Sequence, residues 1–289
     1  MPTLEQGKNM HFYYNPVSEE IRKMCWNQGD WRFYKYYREW QWKTYLLAKD
    51  ICKEEKIYVL HQLNMIGFRE PGYLWKLSKE TNIPFVWGPV DTKDKFPVAY
   101  LGGASMKTKL FMRLKNFLTV WQLKHSTRVR QAASQASVIF SASSNSKESF
   151  YTYMAIDSPL LNETGCYVQE HPLIDKSQKE TFDVLWIGKL DFRKQLGIAL
   201  QSVAITGNEN IRLHIVGGGD AVNEKVGKKI LLTNPSKSSQ SFATILNELE
   251  GNRDLLKQMS ENCKQRQIEL SWDEKAKTMV GWYEKIVKA

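Results

Sequence analysis

A cluster of cations follows a glycine in Leu185-Trp186-Ile187-Gly188-Lys189-Leu190-Asp191-Phe192-Arg193-Lys194. The apolar residues before Gly188 predict a buried strand, and a helix is predicted to open just after the cations. In α/β proteins ligands bind beyond the carboxyl ends of strands. A helix N-terminus there presents free N–H groups and the positive end of its dipole. With Lys189, Arg193 and Lys194 added, the place suits a diphosphate; the same residues also fit a solvated basic turn. A second strand-then-glycine segment is Ile215-Val216-Gly217-Gly218-Gly219-Asp220. Glycine lets a backbone approach a ligand closely. The segment is not a dinucleotide fingerprint, because Val222 stands where GxGxxG needs its last glycine. GxxxxGKS and GxxxxGKT are both absent, which argues against a P-loop nucleotidase.

A third segment, HQLNMIGFREPGYLW, runs from His61 to Trp75. His61 closes a predicted strand and Arg69 precedes a predicted helix, so both are expected to face a cleft between two domains. A lone histidine serves a structural role at least as readily. His11, His125, His171 and His214 show no i, i+4 ligand spacing, so no metal is expected. Cys25, Cys52, Cys166 and Cys263 form no CxxC pair, which points to a reduced, cytoplasmic protein rather than a disulfide scaffold or a zinc site.

The elements that must carry these residues follow from the pattern of the 289-residue chain. Strands are predicted at 10–14, 57–61, 83–87, 137–141, 161–168, 182–187, 211–216 and 229–232. Helices are predicted at 31–55, 71–79, 106–135, 144–154 and 192–205, then from 238 onward in pieces broken at Gly251 and Ser271. A turn is expected at Gly88-Pro89. Strands alternating with helices indicate α/β architecture with a parallel, doubly wound sheet. Residues 169–181 are polar and lack periodicity. The expected organisation is a Rossmann-like domain over 1–170, a linker at 171–181 and a second Rossmann-like domain over 182–270. A terminal helix, 271–289, is expected to pack back on the first.

Hydrophobic residues make up 42% and charged residues 25%, which excludes a disordered chain. No apolar run reaches the roughly 18 residues of a membrane span, and the start shows no signal-peptide pattern. The formal net charge is +10. Lys107 to Arg130 holds seven basic residues and no acidic one. Within it Leu110, Phe111, Leu114, Phe117, Leu118 and Trp121 fall on one helical stripe flanked by Lys109, Arg113 and Lys115. Such a helix suits an anionic membrane surface, or else packs its stripe on the sheet as core.

The segments quoted above, together with Trp87-Gly88-Pro89-Val90, Asn162-Glu163-Thr164-Gly165-Cys166 and Leu270-Ser271-Trp272-Asp273, resemble the group 1 bacterial glycosyltransferases over nearly the whole chain. The resemblance implies a retaining enzyme of the GT-B fold, acting in cell-surface polysaccharide synthesis with a nucleotide-diphosphate sugar as donor and without a metal cofactor. It places the donor phosphates on Lys189, Arg193, Lys194, Gly188, Gly217 and Gly219. It places the acceptor side on His61, Arg69, Gly88, Pro89 and Asp91. The acceptor is expected to be a glycan or a lipid-linked glycan, and the location cytoplasmic, peripheral on the inner membrane. Related enzymes often carry a catalytic histidine where Gly88 and Pro89 stand, so none is transferred.

Two departures from the family bear on activity. The first domain has no counterpart of the family's opening strand and glycine loop before Met10. The stretch from Phe182 to Ala289 is shorter than the about 150 residues of a complete nucleotide-binding domain. Gly219-Asp220 runs almost directly into AVNEKVG, whose like lies near the end of that domain in the family. The paired glutamates that hold ribose and sugar are normally carried in between. Glu261 and Glu269 have the right spacing but fall in a predicted helix, away from any glycine loop. The expectation is a glycosyltransferase with a shortened second domain and weak or absent turnover. The alternatives are a non-catalytic sugar-nucleotide-binding relative and a basic nucleic-acid-binding protein. No nucleic-acid module is recognisable, and cations beside an apolar stripe suit lipid better, so no nucleic-acid partner is expected.

Overall fold

The computed structural model describes residues 10–26, 32–63, 65–92, 96, 101, 105–170, 174, 176, 179–188, 194–217 and 237–288. The protein is α/β, with small parallel sheets among many helices. It divides into two units. One comprises Met1–Asp94, Thr119–Thr164 and Lys277–Ala289; the other comprises Lys95–Leu118 and Gly165–Ala276.

In the first unit, helices α1 (Glu19–Trp26) and α2 (Phe33–Glu54) precede strand β1 (Leu60–Gln62). Helix α3 (Leu74–Thr81), strand β2 (Phe85–Val90), helix α5 (Thr127–Gln135), strand β3 (Ala136–Ser141) and helix α6 (Ser144–Met154) follow. Helix α4 (Met106–His125) crosses the division between the units. The sheet has the order β1-β2-β3 and is parallel throughout. Its strands alternate as a pleat requires. Phe85, Trp87 and Ile139 point into a core shared with Tyr45 of α2, Trp75 and Leu77 of α3, Val129 of α5 and Phe150 of α6. Val86, Val138 and Phe140 point the other way. They pack with Leu161 against Met279, Trp282, Tyr283 and Ile286 of α10 (Trp272–Lys288). Both faces of this sheet are therefore covered by helices. Phe150 is fully buried, and truncating such a side chain costs about 3–5 kcal/mol.

Helix α6 begins where its sequence says it should. Ser143 is extended, and its hydroxyl accepts from the Ser146 N–H at 3.2 Å. This satisfies one of the otherwise orphaned N–H groups. The predicted single helix over 106–135 is two helices, because Ser126 takes an extended conformation between them. The predicted strand at 10–14 is irregular, and the predicted strand at 161–168 reduces to isolated bridges, one at Leu160 just before it and one at Cys166 within it. The turn expected at Gly88-Pro89 is instead part of β2, where the ladder to β3 shifts register between Trp87 and Val90. Short apolar runs do not fix their own pairing partner, and strand bounds suffer accordingly.

The second unit holds β4 (Phe182–Ile187) and β5 (Ile211–Val216), paired in parallel, with α7 (Leu196–Thr206) between them. Helices α8 (Lys237–Gly251) and α9 (Arg253–Glu269) follow. The break between them is capped by Asn252, whose side chain accepts from Leu255 N–H at 2.9 Å. Helix α7 packs on α8 through small residues: Ser202, Ser239 and Ala243 are buried, and Ser239 donates to Gln201 Oε1. The strand predicted at 229–232 lies outside the described residues.

Candidate functional site

His61, predicted to close its strand, is instead the middle residue of β1, and it uses both ring nitrogens. Nε2 lies 2.7 Å from the Gly88 carbonyl oxygen and Nδ1 lies 2.5 Å from the Tyr283 hydroxyl. Burial pushes the imidazole pKa below its ordinary value, and the Gly88 bond opposes this. Gly88 has φ +126°, and a Cβ there would sit 2.5 Å from the Phe140 carbonyl oxygen. Glycine is therefore required by close strand approach as well as by conformation. Pro89 completes the pair within β2.

Asp91 extends β2 by one bridge to Gly67. Its N–H donates to Ile66 and its carbonyl accepts from Phe68 N–H at 3.1 Å. Its carboxylate accepts from Ser146 Oγ at 3.1 Å, beside the start of α6. A carboxylate in the first turn of a helix is favourably placed against the dipole. The ladder contacts pin the loop at 66–70 across the end of β2, and three successive residues then diverge. Phe68 is fully buried. Arg69 donates from Nε to Gln122 and from Nη2 to Thr119 Oγ1 at 2.6 Å, both on α4. Both acceptors are neutral, and the guanidinium is half-buried. Burial lowers its pKa, opposed by Tyr34.

Glu70, the third of these residues, was not singled out from the sequence. Its carboxylate is buried and clamped between two guanidiniums. Arg38 reaches it with Nε at 2.8 Å and Nη2 at 2.6 Å, and Arg128 with Nη1 at 3.0 Å. Arg128 also lies 4.9 Å over the Tyr73 ring. One sequence signal pointed to it: an acid between Arg69 and Pro71 within an apolar stretch needs a partner once buried. Tyr283 was missed too, since nothing local ties it to His61.

In the second unit, Gly188 and Gly217 end the two strands side by side. Gly188 N–H donates to Val216 carbonyl oxygen at 3.0 Å, and a Cβ on Gly217 would lie 1.9 Å from Gly188 carbonyl oxygen. The Trp186 ring lies over both, 2.9 Å from a Cβ built on Gly188 and 3.2 Å from one built on Gly217. Lys194 is exposed two residues ahead of α7. Lys189, Arg193 and Gly219 lie outside the described residues. Glu261 and Glu269 both fall within α9. Among the described residues no group of His, Cys, Asp and Glu is arranged to hold a metal ion. No described helix is long and apolar enough to cross a membrane.

Compared with protein-family models, with curated proteins and with solved structures, the chain matches none.

Proposed function

We propose that the chain is a protein of the retaining GT-B glycosyltransferase type, built of two Rossmann-like, doubly wound domains, the second shortened. It holds the diphosphate of a nucleotide sugar at the strand ends of the second domain. The first domain presents His61, Arg69, Gly88, Pro89 and Asp91 to a glycan or lipid-linked acceptor on the cytoplasmic side of the inner membrane. The observation that carries this reading is the end of the β4–β5 ladder. Two parallel strands finish together on Gly188 and Gly217, and Lys194 stands just ahead of the helix that joins them. In transfer, cations at that place stabilise the charge that develops on the departing diphosphate. The departing phosphate itself can take the acceptor's proton, so no separate side-chain base is needed.

Turnover by this chain is weak or absent in this reading. Phosphate contacts alone bind a nucleotide, but transfer needs the sugar held in near-attack geometry. Glu261 and Glu269, which have the spacing of the family's sugar-holding pair, lie within helix α9, which favours a second reading, a sugar-nucleotide binder without turnover. Titration calorimetry of the purified chain with UDP and GDP tests the site. Lys194→Ala is expected to weaken binding about tenfold or more, the loss of one charge-assisted contact. Unchanged affinity sinks the diphosphate assignment. Binding without turnover on a panel of nucleotide sugars selects the second reading, and robust turnover selects the first.

A further inference from the structure

We propose that the outward face of α4 docks flat on an anionic lipid membrane. This rests on α4 alone and is independent of the sugar-nucleotide reading. Leu110, Phe111, Leu114, Phe117 and Trp121 are between 51% and 70% exposed, and Leu118 is exposed beside them. The spacing of 110, 114, 117 and 121 puts them on one face. Met112, Thr119 and Leu123, on the opposite face, are buried. The inner face is also tied down by hydrogen bonds. Asn116 bonds the Phe96 main chain in both directions, at 3.0 Å and 2.9 Å, and Thr119 accepts from Arg69. The helix therefore cannot roll its outer stripe inward. A contiguous exposed stripe of this size marks an interaction surface.

The charges identify the occupant. Lys107, Lys109, Arg113, Lys115 and Lys124 lie on the same helix, which carries no acidic residue. A second copy docked through this face would set these cations against their own equivalents, which is repulsive. A membrane asks only for one apolar face rimmed by cations. At 20 residues the helix is about 30 Å long, which suits a segment lying in the interface.

Flotation of the full chain with phosphatidylcholine vesicles, with and without about 30 mol% phosphatidylglycerol, tests this. The chain is expected to float with the anionic vesicles and to release at high salt, where the Debye length shrinks to a few ångströms. Lys109→Gln, Arg113→Gln and Lys115→Gln together should lower partitioning about fivefold per charge. Phe111→Ser with Phe117→Ser should lower it at least tenfold. These side chains point outward, so circular dichroism should show each variant folded. Lys257→Gln with Lys264→Gln, on α9, should leave partitioning unchanged. Equal flotation with neutral vesicles, no flotation with anionic ones, full binding by the Phe variant, or a dimer that the Phe variant abolishes would each overturn the proposal.

Discussion

His61 and Tyr283, 222 residues apart, share a hydrogen bond that ties the C-terminal helix to β1. The other ring nitrogen faces the Gly88 carbonyl, which can only accept, so Nε2 carries the proton and Nδ1 receives the Tyr283 O–H. The rings meet edge to face, with centroids 5.7 Å apart. The pair is made by a neutral imidazole in one tautomer, at a place where the chain's two ends of sequence meet in one unit.

That pairing makes the first unit sensitive to acid. Burial holds the folded pKa of His61 below its ordinary value. An unfolded histidine titrates near about 6.5. A depressed folded pKa contributes stability above that value and loses it as pH falls through the folded pKa. The urea midpoint of the first unit is therefore expected to drop as pH falls from about 7 to about 5, and His61→Gln should flatten that slope. Tyr283→Phe should cost about 1 kcal/mol at neutral pH. A slope that His61→Gln leaves intact would assign the acid sensitivity to other groups.

Glu70 offers a second test, of burial rather than titration. Its carboxylate is 2% exposed, while Arg38 and Arg128 are 51% and 27% exposed. Removing the acid leaves two guanidiniums without their shared carboxylate, Arg128 the more buried of the two. Breaking a buried ion pair from one side costs about 3–5 kcal/mol. Glu70→Ala is expected near the lower end, because Arg38 can turn to solvent. Arg38→Ala should cost less, since Arg128 still pairs the carboxylate. Denaturant unfolding at neutral pH orders the two variants, and an equal cost would mean that the Arg128 contact adds nothing.

These residues also mark what was legible in the sequence. Helix α6 and strands β4 and β5 keep their predicted bounds, because a serine cap and six-residue apolar runs carry local signals. The breaks at Gly251 and Ser271 do so as well. The apolar stripe of α4 was visible, but its fate was not: the helix is apolar on two faces, and only packing decides that Met112 and Leu123 turn inward while Phe111 and Phe117 turn out. Asp91 lies just past the end of β2, as its place after the strand suggests, whereas His61 and Gly88 fall inside β1 and β2, and the partners of all three left no local signal. Tyr283 and Ser146 are distant in sequence, and a hydrogen bond leaves no periodic trace. The direction of Glu70 was hidden for the same reason.

The last prediction concerns the bare side of the β4–β5 sheet. In a parallel pair, register partners share a face, so Leu185 with His214 and Ile187 with Val216 lie on one side. Phe182 and Ile211 lie on the other and are buried, and α7 packs on β5. On the first side Leu185, Ile187 and Val216 are exposed. The strand before Gly188 is predicted to be buried, but only Phe182 of it is: Leu185 and Ile187 are exposed, as is Ile215 on β5. The polar end of the bare face is held by Asp183, whose pKa is lowered to about 2, chiefly by its bond from Lys179 and then by His214. That ion cluster leaves the apolar end uncovered. A strand pair with one exposed apolar face invites association. The purified chain should therefore scatter light increasingly with concentration, and Leu185→Lys with Ile187→Lys should suppress it. Because both side chains already point to solvent, the double variant should keep its thermal midpoint, within about 0.5 kcal/mol per site. Phe111→Ser with Phe117→Ser, on α4, should leave the scattering unchanged. Scattering that persists in the double-lysine variant would place the sticky surface elsewhere, and a collapsed midpoint would mean that the face is packed after all.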